Sequence, residues 1–78
     1  MDAGAVIEML RNEGLLDLPT DASFSTDLFA AGLDSMAVMQ LIVIVEERFG
    51  VVIGPADTSR ELLGTPTALA ELIASRLA

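Results

Sequence analysis

The chain has 78 residues, of which 53% are hydrophobic, and twelve acidic residues against four arginines give it a net charge of −8. That length predicts one small domain over residues 1–78 with a modest core, and the charge disfavours nucleic acid and anionic membrane surfaces as partners. His, Cys, Lys, Tyr and Trp are all missing, which excludes disulfides and thiolate metal sites and leaves an independent enzyme without its commonest bases and nucleophiles.

The N-terminus carries Asp2 and Glu8 in place of a basic n-region, so no signal peptide is expected and the expected location is cytoplasmic. Ala3 to about Asn12 reads as a first helix, with Val6, Ile7 and Leu10 on one side and Glu8 and Arg11 on the other. Gly14 is placed to end it. From Leu15 to Leu33 the periodicity lapses, and Pro19, Thr20, Asp21, Ser23, Ser25 and Thr26 mark a long connection. Loops of that length inside a small domain are ordinarily functional or hold further structure that periodicity does not reveal, and Leu28, Phe29 and Leu33 can pin this one to a core.

Asp34 is a good N-cap for a second helix running to about Phe49, and Gly50 is a good stop. At 100° per residue, Val38, Leu41, Ile42, Val45 and Phe49 fall on one core-facing arc. Met36, Met39, Gln40, Val43 and Glu47 fall on another, which is too far round to be core as well. The apolar run from Ala37 to Val45 is interrupted by Gln40 and is far shorter than the roughly 20 residues a membrane span needs, so no membrane insertion is expected. Val51-Val52-Ile53 is β-branched, yet with no second strand to pair with it is expected to pack as a loop. A short helix is expected from Asp57 to about Leu63, ended by Gly64. Thr65-Pro66 then supplies N-cap and N1 of a last helix, in which Leu69, Leu72, Ile73 and Leu77 repeat at helical spacing. The expected fold is an all-α four-helix bundle of three longer helices and one short one. Its core should hold Val6, Leu10, Phe29, Leu41, Val45, Phe49, Leu69, Leu72 and Ile73.

The stretch Phe29-Ala30-Ala31-Gly32-Leu33-Asp34-Ser35-Met36 places a serine on the start of the second helix, beside a capping carboxylate. Taken alone, capping accounts for both Asp34 and Ser35. The stretch, the helix through Glu46-Glu47-Arg48-Phe49-Gly50 and the terminal helix opening with Thr65-Pro66-Thr67 together resemble acyl carrier proteins. The resemblance implies a small four-helix bundle of that type in which the serine bears an esterified 4′-phosphopantetheine arm derived from coenzyme A. It implies that Ser35 carries the arm, that Asp34 and Met36 flank it for a phosphopantetheinyl transferase, and that Asp34 meets the transferase-bound Mg²⁺ only transiently, with no metal site in the free protein. A phosphodiester suits the positive end of a helix, although the neighbouring Asp34 carboxylate repels it.

In fatty-acid carriers the positions matching Ala37 and Gln40 are typically acidic, and here both are uncharged. Met36, Met39 and Val43 offer flexible and branched apolar surface instead, and with Gln40 and Glu47 they form the expected partner-binding face. Scattered surface apolars would be the plain alternative. Asp34-Ser35-Met36, Gln40 and Thr65-Pro66 look more like D-alanyl and other aminoacyl carriers than the fatty-acid type. The implied partners are the transferase, an ATP-dependent acyl- or aminoacyl-activating ligase and a downstream accepting enzyme, met by a monomer. The rival expectation is an unmodified small helical interaction domain that docks through Met36, Met39 and Val43. The acidic excess fits either solvation or attraction to basic enzyme surfaces.

Overall fold

In a computed structural model that describes residues 2–77, apart from the side chains of Pro55 and Arg60, the chain forms four α-helices, with no strand among the described residues. They are α1 (Ala3–Glu13), α2 (Ser35–Phe49), α3 (Arg60–Leu63) and α4 (Pro66–Leu77). α4 packs against the other three. Among the described residues, no helix is long and apolar enough to cross a membrane.

The helix ends follow from local chemistry. The Asp2 carboxylate accepts from the Ala5 N–H at 2.8 Å and opens α1. The Asp34 carboxylate accepts from the Ala37 N–H at 2.9 Å and opens α2. The Thr65 hydroxyl accepts from the Ala68 N–H at 3.1 Å with Pro66 at N1 of α4. Gly50, at φ 67°, turns the chain out of α2 and donates its N–H to the Glu46 carbonyl, a conformation that a side chain would strain.

The short helix starts later than the sequence suggests. Residues Pro55–Asp57 form a separate 3₁₀ turn, and α3 begins at Arg60 with Ser59 as its cap. The Asp57 carboxylate is engaged by the Gly54 N–H at 3.1 Å and by Arg76 at 2.7 Å, so it closes the turn before α3 and does not lead the helix. Gly64 does end α3, in a right-handed conformation.

The core is built from all four helices and from the connections. Val6, Leu10, Leu41, Val45, Leu69, Leu72 and Ile73 are buried as expected, whereas Phe29 and Phe49 are only partly buried and pack against the cluster from its edge. On α2 the buried arc is centred on Ala37, Leu41 and Val45, which leaves Val38 and Ile42 half-buried. Leu77, in register with the α4 stripe, is exposed at the last residue of the helix. Val51-Val52-Ile53 packs as a loop, with Val51 and Ile53 buried and Val52 exposed.

The long connection from Leu15 to Leu33 has no helix, yet it is tied down at several points. Arg11 donates to the Pro19 and Thr20 carbonyls. The Asp17 N–H donates to the Ala31 carbonyl at 3.2 Å, and the Phe24 carbonyl accepts from both the N–H and the hydroxyl of Thr67. Leu28 and Leu33 are fully buried, so the segment before Ser35 is anchored in the core.

Candidate functional site

Ser35 is the first residue of α2 and is exposed. The turn before it is fixed from three sides. The Asp27 carboxylate accepts from the Phe29 and Ala30 N–H groups, the Leu33 N–H donates to the Leu28 carbonyl at 3.0 Å, and Gly32 adopts a φ of 114° that only glycine takes readily. Asp34 then stands in extended conformation with its carboxylate on the Ala37 N–H. This cap leaves the Ser35 hydroxyl outside the capping bond, with no hydrogen-bond partner among the described residues. The hydroxyl sits at the positive end of a 15-residue helix, where a negatively charged substituent is favoured.

Two grooves border α2. One, of about 760 Å³, runs beside Ser35 between α2 and the loops, with Phe29, Leu33, Val38, Ile42 and Ile53 as its apolar lining and Asp34 and Thr58 among its polar edges. The other, of about 550 Å³, lies between α2 and the end of α1, with Leu15, Val43 and Ile44 below and Glu13 and Glu47 at its edges. Met39 lines both.

The remaining expected residues come together on this face. Met36, Met39 and Val43 are 72%, 69% and 52% exposed, which is solvent-facing placement and not core. Gln40 and Glu47 are exposed beside them. Ala37 differs: it is buried beneath the first turn of α2, so it belongs to the core and presents no surface to a partner. Glu13 is bound by Arg48 at 2.6 Å, which leaves Glu47 as the carboxylate of that groove edge without a described ion pair. Sequence reasoning missed the groove walls supplied by Leu15, Ile53 and Thr58. The apolar run Val51-Val52-Ile53 was the available signal for one of them.

The residues fit a phosphopantetheine group by their chemistry: an exposed, unengaged hydroxyl for the ester, a helix start for the phosphate and a mainly apolar groove alongside for an uncharged chain. No group of three or more His, Cys, Asp or Glu residues able to hold a metal ion occurs among the described residues.

The sequence model of the family described as "Phosphopantetheine attachment site" matches residues 6–73. No curated protein sequence matches significantly. Among experimental structures, the chain is similar to one in the crystal structure of an engineered Bradyrhizobium japonicum glycine:[carrier protein] ligase complexed with a carrier protein from Agrobacterium tumefaciens and ATP. The two are 27% identical with a TM-score of 0.74, over 94% of this chain and 96% of that one. The same pair of proteins crystallised with AMP gives 27% identity and a TM-score of 0.73, over 92% and 97%. The near-complete coverage of so short a chain identifies the matched partner as the carrier protein.

Proposed function

Because the chain belongs to the phosphopantetheine-attachment family of carrier domains, we propose that Ser35 is the residue that bears the 4′-phosphopantetheine and that the cargo is an amino acid. The observation that carries the first part is the free Ser35 hydroxyl on the N-terminus of α2, next to a fixed turn and an open groove. When bound, the group supplies a flexible arm whose terminal thiol holds cargo as a thioester.

The chain's own residues do the rest. Asp34 holds the first turn of α2 in place, and its exposed carboxylate lies beside the modified hydroxyl, where a transferase with its Mg²⁺ would reach it. Met36 flanks Ser35 on the other side. Met39, Gln40, Val43 and Glu47 meet the loading and accepting enzymes. An apolar face with Glu47 at its edge suits a partner that inserts apolar side chains and places a cation near that carboxylate. The aminoacyl assignment is supported by the 27%-identical Agrobacterium carrier protein, which is bound to a glycine:[carrier protein] ligase, and by the uncharged Gln40. The reading is of a monomeric carrier that acts as substrate to an ATP-dependent amino-acid-activating ligase, with no catalysis of its own.

The test is an intact-protein mass spectrum before and after incubation with coenzyme A, Mg²⁺ and a broad-specificity transferase. The expected result is a gain of one phosphopantetheinyl group that Ser35→Ala abolishes. A gain that survives Ser35→Ala moves the attachment elsewhere, and no gain with several transferases favours the unmodified interaction domain. Charging the modified protein with amino-acid-activating ligases and with fatty-acyl-loading enzymes then separates the cargo classes. Efficient loading by the latter alone would refute the aminoacyl assignment.

A further inference from the structure

The groove beside Ser35 has one wall that belongs to no long helix. It is the segment from Val51 to Thr58, of which Ile53 and Thr58 line the groove. Its described backbone bond is internal, from the Asp57 N–H to the Gly54 carbonyl at 3.0 Å. A polar tie to the rest of the fold comes from Arg76, in the last turn of α4. One guanidinium nitrogen donates to the Asp57 carboxylate at 2.7 Å, and another donates to the Val52 carbonyl at 3.3 Å. The second oxygen of Asp57 accepts from the Gly54 N–H. Arg76 thereby grips the segment on both sides of Ile53 and the 3₁₀ turn. Such a forked contact to two acceptors needs the planar geometry of arginine.

We propose that Arg76 is a positioning residue for the groove beside Ser35: by clasping Asp57 and the Val52 carbonyl it holds the Ile53–Thr58 wall where the tethered arm rests against it. This inference rests on the reading of Ser35 as the attachment residue. The Arg76–Asp57 pair is partly exposed, with side chains 41% and 17% accessible, and pairs of that kind add little to global stability. Val51 and Ile53 already anchor the segment in the core by their burial. What the clasp adds is a fixed position for Gly54 to Thr58, on the outer side of the anchor.

Amide NMR on the whole protein, unmodified and modified, tests it with Arg76→Gln and Asp57→Asn. In the unmodified protein both variants should change the amide signals of Ile53, Gly54 and Thr58 and speed hydrogen exchange at Gly54, with Val38 and Ile42 unmoved. In the modified wild type, attachment of the arm should shift Ile53 and Thr58 together with Val38 and Ile42. In modified Arg76→Gln the shifts at Ile53 and Thr58 should be lost, while those at Val38 and Ile42 persist and the extent of modification is unchanged. Unmoved wall signals in the unmodified variants would overturn the clasp. Arm-induced shifts at Ile53 and Thr58 that are absent from wild type, or retained in Arg76→Gln, would overturn its role toward the arm. If Ser35 accepts no arm, the parent reading fails and this role fails with it, while the unmodified spectra still decide the clasp.

Discussion

Leu28 donates its backbone N–H to the Gly64 carbonyl at 2.8 Å, which joins the connection leading to Ser35 directly to the corner between α3 and α4. The Leu28 carbonyl in turn accepts from the Leu33 N–H at 3.0 Å. Position is thus passed from the α3–α4 corner through a fully buried leucine to the residue preceding Asp34. Leu28→Ala should cost about 2–5 kcal/mol, the usual range for deleting a buried leucine side chain. Chemical denaturation measures that loss, and faster hydrogen exchange at the Leu33 amide would show that the approach to Ser35 has loosened. An unchanged midpoint would contradict the burial.

Asp34 has two separable roles. Asp34→Ala removes the bond to the Ala37 N–H and should cost about 1 kcal/mol. Asn caps about as well as Asp, so Asp34→Asn should keep the melting temperature while slowing modification of Ser35. Equal modification rates for wild type and Asp34→Asn would remove the carboxylate's role toward the transferase and leave only the cap.

Within α2, the depth of burial ranks the costs of truncation. Leu41 is fully buried and Phe49 only partly so. Leu41→Ala should therefore lower stability by about 2–5 kcal/mol, and Phe49→Ala by less than a fully buried phenylalanine would lose. Urea titrations of the two variants that ranked them in the opposite order would be inconsistent with this placement.

Met39 stands between both grooves and is 69% exposed. Met39→Ala should leave the melting temperature alone and raise KM for the loading ligase about tenfold, the size expected for one apolar anchor at an interface. Steady-state loading kinetics with the modified protein provide the readout. A rise in KM accompanied by a drop in melting temperature would place Met39 in the core instead.

Asp57 predicts a specific acid limb. The Arg76 guanidinium hydrogen-bonded to it, followed by the Gly54 N–H, holds its carboxyl below the ordinary value of 3.8. A depressed acid favours the folded state when ionised, so its contribution is fully present above the unfolded value near 4 and is lost as pH falls through the lower folded value. Asp57→Asn should therefore narrow its stability gap to wild type as the pH drops below about 4, while the gap stays constant from there to neutrality. Thermal melts across that range check it, and a gap that does not change with pH would show that the carboxylate is not held by Arg76.

The sequence by itself determined the three longer helices and their ends, because Asp34, Thr65-Pro66, Gly14 and Gly50 act on the backbone within a few residues. It also separated the two faces of α2, since helical geometry alone assigns Leu41 and Val45 to one side and Met39 and Val43 to the other. The resemblance of the stretch around Ser35 pointed to the carrier family to which the chain belongs. Tertiary structure decided what local periodicity does not encode: that Ala37 is core and Val38 and Ile42 only half so, because burial depends on where α4 and the connections sit. It also decided that Asp57 closes a turn and does not open a helix, because its partner Arg76 lies 19 residues away. The grooves on either side of Met39 have the same origin, being made of residues from Glu13 to Thr58 that only the folded chain brings together.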